Sequence, residues 1–372
     1  MKKTILASLA AAAAMNLSAP ISAHSSPEHA MEKARVEAMR EATSAFLATL
    51  DETQREAVVR PLDDNTARTN WSNLPNSMAP RTGLSVKEMS AEQRRAFHAM
   101  MISALSSQGY LKSATIMWHE DPLREMFEAM IASAPVDEER RAQGREFAKN
   151  YDAELFFVHV FGDPASKDWG WMATGHHFAV NFTVVGNRIG FTPMFLGASP
   201  QVLPEGRYAG WHVLEHEGKR ALELLASFTP AQLSQVVVSE TADGGLFAGP
   251  GNTSPRPETG IKASQLDPVQ RLLLDALIEE YLGDASDEAA ARQRAAIAAD
   301  GAETLRFSWW GPTDQPRGRY MYRVHGPSIL IDYIREPSRG GGHNHVHAIM
   351  RDPSNDYGSD WLERHYKEAH SE

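Results

Sequence analysis

Three histidines alternate near the carboxyl-terminal end of the chain, at His343, His345 and His347. Residues two apart in a β-strand project from the same face, so these imidazoles could line one side of a strand. Two imidazoles at that spacing can bind one divalent cation, with Zn–N distances of about 2.0–2.1 Å. The glycines before them, Gly341 and Gly342, let the backbone turn and approach closely. The run predicts a histidine-ligated metal site; the alternative interpretation is a polar strand end that faces solvent.

A second pair of histidines, His176 and His177, lies in a stretch that alternates over residues 171–185 and predicts one long strand. Adjacent residues of a strand point to opposite faces. We therefore expect at most one of these two imidazoles to join the site, unless a β-bulge intervenes. Both are candidate metal ligands, and the alternative is that one is a hydrogen-bonded histidine of the core.

Carboxylates that could act as a ligand or a general base are found at Glu215 and Glu217. If residues 211–228 form a helix, His212 and His216 lie one turn apart on one face. The segment lacks the His-Glu-x-x-His order of a zinc protease helix. A solvated acidic helix face is the alternative that the pattern favours.

The residues after the histidine run could support a metal centre. A metal-bound imidazole usually donates its second N–H to a carboxylate or carbonyl, which makes Asp352 a candidate partner. Arg351 could bind an anionic group of a substrate. Pro353 and Ser354 are ordinary turn residues, so a turn that leads into a helix is the alternative interpretation.

Composition limits the chemistry that the chain can perform. There are 15 histidines and no cysteine among 372 residues, so a metal must be held by His, Asp, Glu or backbone oxygen rather than by thiolate. Zinc and copper both suit imidazole ligands. The formal net charge of −11 argues against a nucleic-acid partner, which basic patches would bind. The expected partner is a small organic substrate.

The first 23 residues have the layout of a secretory signal peptide. Lys2 and Lys3 precede an apolar run over residues 5–17, and Ala23 is a small residue that suits signal peptidase. The run is shorter than the about 20 residues that a membrane-spanning helix needs. We therefore expect cleavage after Ala23, no membrane insertion, and a periplasmic or secreted protein.

The elements that must position these residues fall into two regions of one composite domain, predicted over residues 24–372. Helical spacing predominates over about residues 28–150, and strands and helices mix over about residues 151–372. We expect an α+β fold in which a mainly helical N-terminal half packs on an antiparallel sheet of the central and C-terminal strands. The predicted helices include residues 27–59, 90–105, 114–134, 211–228, 287–300 and 361–369. The predicted strands are residues 155–161, 171–185, 188–195, 304–310, 319–325, 328–335 and 344–350.

Several motifs follow one another in an order that resembles a known family. They are Trp169-Gly-Trp171, Gly175-His176-His177-Phe178, Pro193-Met-Phe195, Glu215 with Glu217, Asn344-His345-Val346-His347, and Arg351-Asp352-Pro353. Over about residues 30–370 they resemble the bacterial and fungal family catalogued as domain of unknown function three thousand five hundred. That name implies no settled activity. Ten residues match the family pattern: His176, His177, Asn181, Glu215, Glu217, His345, His347, Arg351, Asp352 and Asp356. Among them, Asn181 and Asp356 are expected to support the ligands.

Three functions fit these residues. In a hydrolase, a histidine-bound zinc ion would lower the pKa of a bound water to about 7, and Glu215 or Glu217 would accept its proton. Imidazoles without thiolate also suit a copper oxidoreductase. The third function is that of a metal or ligand carrier without catalysis. The first is the function that we expect.

Overall fold

The computed structural model of the protein describes residues 27–243, 258–339 and 341–369. The predicted signal peptide lies outside these residues. The helices of the described ranges are α1 (Pro27–Ala48), α2 (Glu52–Val58), α3 (Asn65–Thr69), α4 (Ala91–Ala104), α5 (Ser107–Ser133), α6 (Glu138–Ala148), α7 (Glu215–Ala226), α8 (Pro230–Val236), α9 (Pro268–Leu282), α10 (Asp287–Asp300) and α11 (Ser359–Ala369). None of these helices is long and apolar enough to cross a membrane.

The strands of the same ranges form one sheet in the order β1-β3-β4-β5-β7-β13-β12-β11-β10-β8, with β2 beside β3, β6 beside β5 and β9 beside β10. Only the pairs β1–β3 and β8–β10 are parallel among the described strands. The expected α+β arrangement is confirmed. The strands are β1 (Val59–Arg60), β2 (Leu84–Ser85), β3 (Phe157–Gly162), β4 (Asp168–Gly175), β5 (Phe178–Val185), β6 (Arg188–Gly190), β7 (Met194–Ala198), β8 (Val237–Ser239), β9 (Ile261–Lys262), β10 (Arg306–Trp310), β11 (Tyr320–Gly326), β12 (Ile329–Glu336) and β13 (His345–Arg351).

Three helical segments differ from their predictions. The predicted helix over residues 211–228 begins only at Glu215, because Leu214 has φ 54° in the left-handed region, which does not continue a right-handed helix. His212 therefore precedes the helix and does not share a face with His216. The predicted N-terminal helix is divided, since Asp51 caps a separate α2. The highly charged α6 was not predicted, because its sequence has no apolar stripe.

Side chains on the two faces of the sheet enter different clusters. Along β13, Val346, Ala348 and Met350 join the main core, which the helices cover. Ile349 joins a smaller cluster on the opposite face, with Trp71 and Phe195 among its members. The period of two along a strand therefore places His345 and His347 on the face of Ile349 and away from the main core.

A buried ion cluster ties three of the helices together. Lys112 of α5 contacts Glu217 of α7 at 2.7 Å, Glu280 of α9 at 2.9 Å and Asp284 at 3.0 Å. Arg220 adds a second cation 2.9 Å from Glu280. Burial lowers the pKa of Lys112, but the three carboxylates together raise it well above its ordinary value. Burial raises the pKa of Asp284 to about 6.

Removal of the central cation should destabilise the fold. Lys112→Met leaves three buried carboxylates without their shared partner, and we expect the free energy of unfolding to fall by roughly 3–5 kcal/mol. Urea unfolding followed by circular dichroism measures this change. The matched control is Lys149→Met, which breaks an exposed pair with Glu146 and should cost less than about 1 kcal/mol. Equal effects of the two substitutions would contradict this role of the cluster.

Candidate metal centre

The double histidine occupies a hairpin turn. β4 ends at Gly175 and β5 begins at Phe178, and these two residues pair across the turn. His177 has φ 59°, in the left-handed region. The prediction of one strand over residues 171–185 was therefore wrong at its centre, and the alternation of faces does not apply to His176 and His177. Both imidazoles lie at the same end of the sheet, with their ring centroids 3.7 Å apart.

A glycine lies between the turn and the histidine strand. β7 pairs with β5 on one side and with β13 on the other, where Gly197 is opposite His347. The Gly197 N–H donates to the carbonyl of His177 at 2.7 Å. A Cβ at this position would lie 2.8 Å from Cδ2 of His347 and 3.0 Å from Cδ2 of His177. Only a residue without a side chain lets the two imidazoles meet over β7.

Three imidazole nitrogens converge at this point. Nε2 of His177 lies 3.0 Å from Nε2 of His345, which lies 3.0 Å from Nε2 of His347. Ligands of a tetrahedral zinc ion with bonds of about 2.0–2.1 Å are separated by about 3.3–3.4 Å, which differs from these separations by a few tenths of an ångström. The group of His177, His345 and His347 can hold a metal ion.

The opposite sides of the three rings face hydrogen-bond acceptors. Nδ1 of His347 lies 3.2 Å from Oε2 of Glu336, and Nδ1 of His177 lies 3.9 Å from Oε1 of Glu120. His345 is hydrogen-bonded to the backbone of Pro337. The acceptor beside Nδ1 of His347 favours the tautomer with its proton there, which leaves Nε2 of that ring with a lone pair. Converging lone pairs repel one another unless a positive charge lies between them.

Burial favours the neutral form of two of these imidazoles, those of His177 and His345. It lowers the pKa of His177 well below its usual range, and the neighbouring histidines lower it further. The pKa of His345 falls to about 3 through burial and through the neighbouring imidazole of His347, beside which a second positive charge is unfavourable. Metals bind the neutral imidazole, so His177 and His345 need no deprotonation at neutral pH before they bind a cation.

His176, the other histidine of the turn, has a different partner. The buried carboxylate of Glu120, on α5, accepts from Nδ1 of His176 at 2.8 Å. Burial raises the pKa of Glu120, and the charges of His176 and Arg81 oppose that rise. The group Glu120, His176 and His177 also brings three possible ligand atoms together, but the 2.8 Å separation of His176 from Glu120 is that of a hydrogen bond.

Arg81 supports the turn from the side. Its guanidinium donates to the carbonyls of Leu74 at 2.8 Å and Gly175 at 2.9 Å. These bonds hold the preceding loop, in which the carbonyl of Asn73 accepts from the backbone N–H of His177. Sequence reasoning did not identify Glu120, Glu336 or Arg81 as parts of the site. The sequence feature that could have indicated Glu120 is its position as a carboxylate within a partly apolar helical stretch.

The structure places the predicted acid–base residues elsewhere. Glu217 lies in the Lys112 ion cluster, against the side chains of the main core. Glu215 is exposed at the start of α7, 3.6 Å from His212. His343 precedes β13 and has no part in the three-nitrogen cluster. The geometry therefore gives neither glutamate a position from which to accept a proton at the histidines.

The other supporting residues that were predicted contact other groups. Arg351 pairs with Asp356 at 3.1 Å. The carboxylate of Asp352 accepts from Ser354 and Gln293, and the side-chain amide of Asn181 donates to the carbonyl of Pro193. The expectation that Asp352 or Asp356 orients an imidazole is not met, because Asp352 contacts Ser354 and Gln293 and Asp356 contacts Arg351.

A cavity of about 710 Å³ opens onto the cluster. Its lining includes His176, His177, His345 and His347. The remaining wall comes largely from α5, from the loop before Arg81, and from the connection between β12 and β13. The site is thus a three-histidine cluster with one side open to a substrate-sized space.

The fold and the site define an α+β protein with a histidine-lined, metal-competent cavity. The family model described as protein of unknown function (DUF3500) matches residues 32–359, and the chain belongs to this family. The resemblance seen in the order of the motifs is confirmed. Neither the curated proteins nor the solved structures contain a match to the chain.

Loss of a converging imidazole should abolish metal binding. We expect His177→Ala, His345→Ala and His347→Ala each to lose the cation, because two remaining nitrogens cannot enclose it. The measurement is metal content by mass spectrometry after dialysis against zinc. The control is His216→Ala, at an exposed position of α7, which should keep one cation per chain. Retention of metal by all three cluster variants would refute the assignment.

Gly197 should control affinity without being a ligand. Gly197→Ala pushes the rings of His177 and His347 apart, and we expect zinc affinity to fall about 10–100-fold, as when the orientation of ligands is disturbed. Competition with a chromogenic chelator measures the dissociation constant. Gly190→Ala is the matched strand control, since its Cβ would meet its nearest neighbour at an ordinary 3.5 Å. Equal affinities in both variants would contradict the steric argument.

Proposed function

We propose that the protein is a metal-dependent hydrolase whose cation is held by His177, His345 and His347. The observation that carries the proposal is the convergence of three Nε2 atoms beside a cavity, with those of His177 and His347 each 3.0 Å from that of His345. Nδ1 of His347 lies 3.2 Å from Glu336, which favours a proton on that nitrogen and a lone pair on Nε2, where it repels the lone pair of a neighbouring ring. A cation between the rings removes that repulsion.

Zinc is the cation that we propose. Three histidines with one open position form a familiar ligand set of catalytic zinc, whereas structural zinc sites have four protein ligands. When bound, the ion supplies Lewis acidity and lowers the pKa of a coordinated water to about 7. We also propose, from the layout of residues 1–23, that the protein is exported to the periplasm or the medium.

His176 is the proposed proton acceptor. Its Nδ1 is held by the buried Glu120, and its ring lies beside that of His177 and lines the cavity. Among the described residues, Nε2 of His176 has no hydrogen-bond partner, which leaves this nitrogen available to take a proton from water. Glu120 fixes the tautomer and stabilises the imidazolium that forms. This pair replaces Glu215 and Glu217 in that role.

Copper is the alternative cation, because an all-imidazole set without thiolate binds it as well. In that case the cavity would hold the substrate of an oxidoreductase. The two functions differ in the metal that the purified protein contains and in whether it hydrolyses esters. Both can be measured on the same sample.

His176→Ala should separate metal binding from catalysis. We expect the zinc content to stay at the wild-type value and kcat for 4-nitrophenyl ester hydrolysis to fall about 10²–10⁴-fold, the usual effect of losing a general base. Stopped-flow absorbance and metal analysis give the two readouts. His216→Ala should match the wild type in both.

Two results would overturn the proposal. One is a protein that takes up copper with a visible d–d absorption and shows no hydrolysis in the zinc form. The other is full hydrolytic activity in a His345→Ala variant that contains no metal.

A further inference from the structure

The wall of the cavity includes an apolar stripe of α5. Leu123, Met126, Phe127 and Met130 line the cavity and recur at the spacing of one helical face. Leu74 and Met78 continue the apolar lining on the facing loop. Exposed fractions are 37% for Met130, 40% for Leu74 and 57% for Met78. Apolar side chains of this size are left open to water in the described structure, as expected for a surface that binds an apolar molecule.

One positively charged side chain lies beside this apolar stripe. Arg339, on the connection between β12 and β13, lines the same cavity. Its guanidinium lies 5.2 Å from the ring centroid of Phe127 and 5.3 Å from that of Phe147. Two aromatic faces thus orient the group before a ligand arrives. Within the described ranges, no carboxylate lies within ion-pair distance of Arg339, and Glu205 is the one acidic residue of the lining.

The position of Arg339 along the chain couples it to the proposed ligands. It lies three residues after Glu336, which contacts His347, and two residues after Pro337, whose backbone bonds to His345. The same short connection therefore supports two ligands and presents the cation. A planar guanidinium with parallel N–H groups matches a carboxylate in a bidentate arrangement.

We infer that the substrate is a mainly apolar molecule that carries a carboxylate, with Arg339 binding the carboxylate and the α5 stripe binding the apolar part. This inference rests on the proposed function and names its substrate class. A cavity of about 710 Å³ is within the usual range for a small organic ligand of drug size. When an ester of this class is hydrolysed, the bond between its acyl carbon and its alkoxy oxygen breaks. Water supplies the new oxygen of the acid product, and a proton of that water leaves with the alcohol.

Binding of a carboxylate is tested apart from catalysis. Octanoate and its neutral counterpart octanamide are titrated by calorimetry into the full chain after metal is removed with a chelator, so that no cation can bind the carboxylate. We expect the wild type to prefer octanoate at least tenfold, and Arg339→Gln to lose that preference. Arg145→Gln, which removes an exposed arginine of α6 paired with Glu138, should keep it. Equal affinities in the wild type, or a preference that survives in Arg339→Gln, would overturn the inference.

The zinc-loaded enzyme gives the second readout. The mono-4-nitrophenyl ester of octanedioic acid carries a free carboxylate, and 4-nitrophenyl octanoate does not. Arg339→Gln should raise KM for the first ester at least tenfold with little change in kcat, and should leave the neutral ester unaffected. If neither ester is hydrolysed while octanoate binding still depends on Arg339, the proposed function fails and the ligand class stands. If both esters are hydrolysed and Arg339→Gln has no effect, the inferred ligand class is wrong and the proposed function stands.

Discussion

The constraint on which the rest of this site depends is the convergence of three imidazole nitrogens, with those of His177 and His347 each within hydrogen-bond distance of that of His345. Imidazole nitrogens 3.0 Å apart repel when neither carries a proton, and Glu336 beside Nδ1 of His347 favours that state. The fold must hold the three rings at these separations. The pairing of β7 between two strands, with Gly197 at the crossing, is what forces the rings together.

The two faces of the sheet divide the polar chemistry of the protein. The main-core face contains an ion cluster around Lys112, in which three carboxylates share one ammonium group. The opposite face carries the histidines and opens to a cavity. Buried charges that are paired contribute to the architecture, whereas the unprotonated nitrogens on the other face are reactive towards a ligand. That difference in pairing explains why Glu217 and His347 have different roles although both are buried.

Carboxylates behind the histidines give each ring its orientation. Glu120 reaches both histidines of the turn, and Glu336 projects from β12 towards His347. Neither residue lies near its partner in a recognisable sequence motif, since Glu120 is 56 residues from His176. Together with Arg81, they make the ligands part of a connected network. A metal bound there would be coupled to α5, to the hairpin turn and to the histidine strand.

The sequence by itself determined the family, through the order of its motifs. It also determined the α+β class and the strand that carries His345 and His347, because period-two alternation and turn residues are local signals. It also identified all four histidines. The tertiary structure decided that His176 and His177 occupy a turn, since alternation on both sides concealed a break that only strand pairing reveals. It also decided which carboxylates meet which rings. Glu217 and Glu120 are both glutamates near histidines in the sequence, and only helix packing distinguishes them: Glu120 of α5 contacts His176, whereas Glu217 of α7 contacts Lys112.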